Sequence, residues 1–394
     1  MWLVPALRFP EFTGEWKEER LDEIAELSKG VGISKEQLSE DGEPCILYGE
    51  LYTKYKSEII HKVISKTNIE SSNLKHSKRN DVIIPCSGET AIDIAVARCV
   101  PFDNILLGGD LNIIRLHKDD GAFMAYQLNG KRKIDIAKLA QGVSVVHLYG
   151  DNIKAIKTYN PCLQEQQKIV KLLSMLDERM ELQNKIIEDL RLLRDAIMVE
   201  HYRKCNKSEL YIYDIGEPFN VMNLSKDDLT KDGSPCIIYG ELFTTYGCVI
   251  ENVVSHTTKS PNSTLSTKGD LLFPASTTVD ALSLIAPSSI NEDGIILGGD
   301  MFGIHVNEQY NSNYLSYYFN IIGKKNLAKY AKGSTIIHLH YADIQKAKIT
   351  LPNKNEQETV ANLLLKVEHK LNIEQKMLIN YLNTKNFLLR QMFI

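Results

Sequence analysis

The chain repeats itself, and that limits its fold more than any other feature. DGEPCILYGELYTKY begins at Asp41, and DGSPCIIYGELFTTY begins 191 residues later at Asp232. LLGGD ends at Asp110 and ILGGD at Asp300, 190 residues apart. KLAQGVSVVHL from Lys138 returns as KYAKGSTIIHL from Lys329, and Glu165-Gln166 returns as Glu356-Gln357. Blocks that recur in order at one offset exclude chance. A period near 190 residues is too long for a solenoid repeat and marks a duplicated domain. Each copy must bury its own core.

Composition shifts within each copy. The first part carries short β-branched and aromatic runs between Gly, Pro, Asn and Asp: Cys45–Tyr48, Val82–Ile84, Ile105–Leu107 and Val143–Leu148. These predict strands and turns, with helices at Phe123–Leu128 and Tyr314–Ile322. Gly and Pro then vanish from Leu163 to Glu200 and from Asn355 to Ile394. Asn160-Pro161 and Asn355 with Glu358 read as helix-start signals. Apolar residues recur at alternating threes and fours: Leu173, Leu176, Met180, Ile187, Leu190 and Ile197, then Leu364, Val367, Leu371, Leu378, Tyr381 and Leu388. Gln183 and Arg194 interrupt the first series where Glu374 and Lys385 interrupt the second. This is a heptad seam, and each helix should span roughly 55–60 Å at ~1.5 Å per residue.

The expected segmentation is a mixed domain at 1–160, a long helix at 161–205, a second mixed domain at 206–352 and a second helix at 353–394. The fold class is α+β: two mixed domains separated by two long antiparallel coiled-coil helices with a pseudo-twofold repeat. The antiparallel sense is favoured because a tandem duplicate mimics a twofold homodimer. It would put the two domains at opposite ends of a rod, with Arg194 and Lys385 resisting slippage because sliding would bury them. A parallel pairing would place both domains at one end and need a linker running back along the rod, and none is visible between Tyr202 and Tyr213.

Several function classes are excluded or disfavoured. No apolar run approaches the ~20 residues of a membrane helix, and the opening MWLVPALRFPEF is a poor signal peptide, so a cytoplasmic place is expected. The seven cysteines are scattered without metal or redox spacing, and read as reduced, mostly buried thiols. There is no phosphate-binding glycine loop and no Gly-x-Ser-x-Gly elbow. Tyr159-Asn160-Pro161-Cys162 only faintly resembles an amino-methyltransferase signature, and its repeat reads Thr350-Leu351-Pro352-Asn353. No catalytic residue, cofactor or metal is expected.

Two related but diverged domains at a set distance suit double-stranded DNA read as two different half-sites with an unread spacer. A net charge of −4 requires any DNA-binding charge to be local. Lys78 and Arg79, in a run with Lys75 and His76, are candidates, as is the run Lys131–Lys133. Asp177–Glu181 reads as acidic charge held away from DNA. The loop Gln141–His147, with Ser144, and its counterpart Lys332–His338, with Ser334 and Thr335, combine glycine, hydroxyl, amide or amine, and histidine. Tyr48, Thr53 and Tyr55 with Tyr239, Thr244 and Tyr246 form a second set. Ser87 and Thr90 with Ser276, Thr277 and Thr278 form a third. Each has a plain structural reading: a tight turn, a strand with core aromatics, a solvated surface. The GGD blocks read as turns whose Asp110 and Asp300 bond backbone.

ALRFPEFTGEW, the GGD blocks, the glycine–histidine loops, Pro followed by Glu-Gln at the start of each long helix, and the ending FLLRQMF together resemble the specificity subunit of type I restriction–modification systems. The resemblance spans both copies. It implies two target-recognition domains, helices that act as a spacer and as a dock for two methyltransferase subunits, restriction/translocase subunits as further partners, and no catalysis of its own. A coiled-coil protein scaffold and a related phage-defence specificity component are the alternatives. One departure stands out: Gln141 occupies the place of Lys332, so a phosphate contact from that lysine would be missing in the first copy or supplied there by another residue.

Overall fold

A computed structural model describes residues 3–221, 224–258 and 263–394 of the 394-residue chain. It divides into two compact units. Unit 1 comprises Met1–Asn184 with Met377–Ile394, and unit 2 comprises Lys185–Lys376. Each long helix therefore contributes one half to each unit.

In unit 1 the central sheet runs Ala25–Lys29, Leu111–Leu116, Asp81–Pro85, Arg98–Val100, antiparallel throughout. Strand alternation sends successive side chains to opposite faces. Val82, Ile84 and Ile114 join one buried cluster, while Ile83, Ile113 and Leu111 join another. Both faces are thus covered. The first is packed by the helix Gly121–Asn129, whose start is capped by Asp120 accepting from the amides of Ala122 and Phe123. A second sheet orders Leu38–Ser39, Ser65–Thr67, Glu43–Ile46, Leu106–Leu107 and Lys75–His76.

Unit 2 repeats this plan. Gly216–Asn220, Met301–Val306, Asp270–Pro274, Ser288–Ile290 and Val249–Ile250 form its central sheet. The fifth strand corresponds to a single bridge, Ile59 to Cys99, in unit 1. The helix Ser312–Ile321 packs on it, capped by Asn311.

The long helices run Leu163–Lys204 and Lys354–Gln391. Both expected starts are displaced. Asn160 closes the strand Lys157–Asn160 and donates to Glu19 and Thr158, so it is not a cap. The second cap is Asn353, whose side chain accepts from the Glu356 amide while donating to the Glu356 carboxylate. Within unit 1, Ile169 and Leu173 share a buried cluster with Leu389, Met392 and Phe393, and Asp177 pairs with Lys385. Numbers rise on one stretch as they fall on the other, so the packing is antiparallel. Within unit 2 the same sense follows from Met198 with Ala361 and Leu364, and Arg194 with Glu368. Leu173, Ile187, Leu364, Val367 and Leu371 are buried, and Leu176, Met180, Leu190, Leu378 and Tyr381 half-buried. One expectation about charge is corrected. Lys385 is not kept from burial; it is buried against Asp177, because each neutralises the other.

Candidate nucleic-acid interface

Two sequence-distant candidates come together in each unit. In unit 1 the short strand Ser87–Gly88 pairs antiparallel with Val146–His147. The loop leading to His147 is pinned at its mouth, where Gln141 and His147 exchange backbone hydrogen bonds of 2.9 and 2.7 Å. Unit 2 places Ser276–Thr277 against Ile337–His338, and Lys332 and His338 exchange bonds of the same lengths. Gly142 and Gly333 turn the loops with φ of 122° and 121°, and a Cβ on either would collide with the carbonyl of Val145 or Ile336. The backbone is therefore the same in both copies. Gln141, Ser144, His147, Lys332, Ser334 and Thr335 are exposed, and His338 is half-buried. His147 stacks on Tyr149 and His338 on His340, each at 6.1 Å between ring centroids.

Other candidates do structural work. Tyr55 is buried, and its hydroxyl accepts from the Ile64 amide; Tyr246 makes the equivalent bond with Val254. Burial pushes both phenols up to about 12. Ser87 and Ser276 are buried in the paired strands. These positions leave the candidate surface, because a groove cannot reach a side chain already closed over by its own fold. Tyr48 and Tyr239 pack half-buried on the core. Thr53 and Thr244 are exposed but donate back to the carbonyls of Gly49 and Gly240. Thr90 caps the turn Ala91–Ile94, accepting from the Asp93 amide. Thr277 accepts from the Val279 amide, and Thr278 is exposed. Lys78 and Arg79 are exposed in a turn whose amides donate to Asp81 and Asp103. In the other basic run, Arg132 donates to the Ile394 carbonyl and lies over the Tyr159 ring. Asp110 is in a turn as expected, at φ 56°, but its carboxylate accepts from the Ser87 hydroxyl, not from backbone.

The loop surroundings differ between copies. Lys332 pairs with Asp343, whose carboxyl is lowered by that hydrogen bond. At the same repeat positions unit 1 has Gln141 and Asn152, so cation and anion were exchanged together for neutral groups. An exposed pair of this kind contributes little to stability, leaving the ammonium available to a phosphate. Unit 1 has Asn112 beside Gly150 where unit 2 has Phe302 edge-on to Tyr341. A cleft of about 710 Å³ opens there in unit 2, lined by Asn220, Asp228, Asp300, Phe302, His340 and Tyr341 among others. Lys29 and Tyr149 were not foreseen. Lys29 lies close enough to hold the Cys86 thiol down against the burial that raises it to about 11. Only strand pairing between Ala25–Lys29 and Leu111–Leu116 brings it there. Among the described residues no group of three or more metal-binding side chains converges, and no helix is long and apolar enough to cross a membrane.

Two copies of one mixed domain, each with a pinned, exposed loop and a share of two long helices, define a duplicated recognition protein. The family model for the type I restriction modification DNA specificity domain matches residues 13–192 and again 212–383. The chain belongs to that family, and is a non-catalytic DNA-recognition subunit of a restriction–modification complex. The type I restriction enzyme MjaVIII specificity subunit of Methanocaldococcus jannaschii is 24% identical across 94% of this chain and 89% of that protein. The putative specificity subunit S.HindORF215P of Haemophilus influenzae is 32% identical over 132 residues, spanning 33% of this chain and 32% of that protein. Among solved structures, the S subunit from M. genitalium superposes with a TM-score of 0.65 at 17% identity, covering 99% of both chains. A chain from a structure of type I complex assembly and conformational transition gives 0.54 at 15% identity, covering 96% of this chain and 97% of that one.

Proposed function

We propose that this chain reads an asymmetric, bipartite duplex target, one half-site per repeat, and directs two adenine methyltransferase subunits and restriction/translocase subunits to it. The observation that carries this reading is one loop backbone presenting two chemistries. Gln141, Val143, Ser144 and His147 face solvent in unit 1, and Lys332, Ser334 and Thr335 face it in unit 2. Base edges in the major groove differ in donors, acceptors and methyl groups, so equal frames with unequal side chains suit unequal half-sites. Lysine and hydroxyl groups supply phosphate contacts, and the stacked ring pairs offer flat faces to sugars or bases.

A repeated apolar surface supports the two-copy partner. Leu172 and Leu182 are exposed in unit 1, and their repeat counterparts Leu363 and Ile373 are exposed in unit 2. Exposed apolar residues kept at matching positions give one partner surface two equivalent seats.

Methylome sequencing of the source cell with and without this gene tests the reading. Loss of one gapped adenine-methylation motif is expected; an unchanged methylome overturns it. A scaffold would show no sequence preference at any salt concentration. In the assembled complex, Lys332→Ala should weaken binding to all duplexes and reduce the salt slope by about 1.

A further inference from the structure

Val143 stands between Gly142 and Ser144 in the pinned loop of unit 1 and is 98% exposed. Single exposed apolar residues are ordinary; the setting of this one is not. Its loop is locked at the mouth by two backbone bonds and turned by a glycine that no other residue could replace. Its branched side chain has few rotamers. Its neighbours Gln141, Ser144 and His147 are exposed polar groups of the kind that contact DNA. A side chain left wholly in water contributes nothing to the core, since apolar groups stabilise only when buried.

The repeat isolates the position. Unit 2 has Ser334 at the place of Val143, on the same backbone, while the next apolar position is kept exposed in both copies, Val145 at 52% and Ile336 at 49%. Position 143/334 thus exchanges a pair of methyl groups for a hydroxyl in an otherwise matched frame. The only apolar feature on a base edge in the major groove is the C5-methyl of thymine. Resting on the reading of these loops as base readers, we infer that Val143 reads a thymine methyl in the unit 1 half-site, and that Ser334 meets a polar base edge at the corresponding place in the other.

The test uses the full chain with its methyltransferase partner and duplexes carrying the methylome-defined target. Each thymine is replaced in turn by deoxyuridine, which keeps the pairing and removes the methyl. The wild type should lose about fourfold in affinity at one thymine, the worth of one buried methyl group. Val143→Ser should be indifferent to that replacement, and Val143→Thr, which keeps the branch and one methyl, should retain part of the effect. Thermal melts of both variants should match the wild type, because the residue touches no core. A wild type that prefers the target over scrambled duplex yet tolerates uracil at every thymine overturns the inference and leaves the loop reading standing. So does a Val143→Ser protein that keeps the uracil penalty. A wild type with no preference for the target overturns both.

Discussion

In unit 1 the Lys385 ammonium lies between Glu58 and Asp177, 2.5 Å from each. The hydroxyls of Tyr126 and Ser57 donate to the same Asp177 at 2.7 and 3.0 Å. Arg98 is buried nearby, donating to the carbonyls of Leu51 and Tyr55. Burial lowers its pKa, opposed by Glu58 and Asp177. Two cations and two carboxylates thus balance in a dry junction. In unit 2 Arg194 stands at the repeat position of Lys385 and Glu368 at that of Asp177, 3.4 Å apart, and Arg194 also reaches Asp195. The rest has changed. Cys248 takes the place of Glu58 in the strand pairing and Gly247 that of Ser57. Ser288 replaces Arg98. The hydroxyl of Tyr317, the counterpart of Tyr126, has no hydrogen-bond partner among the described residues.

The exchange conserves volume. A Cβ on Gly247 would lie 2.6 Å from Glu368 Oε1, so the longer acid occupies the space that a serine fills in unit 1. Asp with Ser became Glu with Gly, and the ion pair survived while its hydrogen-bond network did not. Both junctions fix helix register, since sliding either pair apart leaves a desolvated charge. The unit 1 junction should depend far more on each member, because its charges are drier and every carboxylate is shared.

Removing one carboxylate gives the largest separation of the two. Asp177→Ala strips Lys385, Tyr126 and Ser57 of a common acceptor, and breaking a buried pair costs about 3–5 kcal/mol. Glu368→Ala leaves Arg194, 20% exposed, with Asp195 and water, and should cost about 1–2 kcal/mol. Denaturant midpoints, with hydrogen exchange in Gly121–Asn129 and Ser312–Ile321 to localise the loss, measure both. Equal costs would break the comparison.

Lys385→Met should come next, at about 3 kcal/mol near pH 7.5. It leaves Glu58 and Asp177 facing each other with only Arg98 nearby, and two carboxylates in one site favour holding a proton. The folded variant then binds more protons than its unfolded chain, so its deficit should shrink as the pH falls toward 5. Unfolding series at several pH values check this; a deficit independent of pH would mean that lost packing, not charge, dominates.

The duplication is written in the chain itself. Offsets of 190–191 residues, the seam positions and the mixed domain were legible because they are patterns along the chain. The polar interruptions at Arg194 and Lys385 were visible too, but not their partners. Glu58 is 327 residues from Lys385 and reaches it only through folding. Hence both interruptions read as groups to be kept from burial, when Lys385 is buried, Arg194 is half-buried, and each is paired. The candidate interface was half legible for the same reason. Glycine, hydroxyls and histidine marked the loops, since a turn is a local affair. Whether Ser87 or Ser276 faced out depended on distant strands, Val146–His147 opposite Ser87 and Ile337–His338 opposite Ser276. No local pattern carries that.

The smallest expected difference lies at the start of one inner strand of each central sheet, Asp81–Pro85 and Asp270–Pro274. Asp81 in unit 1 is held by a two-pronged bond from Arg115, at 2.9 and 2.7 Å. At the matching place in unit 2, Asp270 accepts from the Thr267 amide at 2.7 Å and meets a single ring nitrogen, His305 Nδ1, at 2.6 Å. Burial raises the Asp270 pKa, opposed by the Thr267 amide and His305. A carboxyl raised on folding contributes stability that is complete below its unfolded value and lost as pH climbs through the folded one. Unit 2 therefore carries a strained carboxylate at neutral pH. His305→Arg should supply the missing fork, and the guanidinium can stack on Phe219 as the imidazole does at 4.2 Å. Position 305 is 46% exposed, so solvent screening holds the expected gain to about 1 kcal/mol at pH 7.5. It should shrink as the pH falls and Asp270 takes up a proton, first in the wild type, whose carboxyl burial raises, and later in the variant. Arg115→His should impose the mirror-image loss on unit 1. A gain from His305→Arg that persists at low pH would assign the effect to stacking on Phe219 and remove the carboxylate from the account.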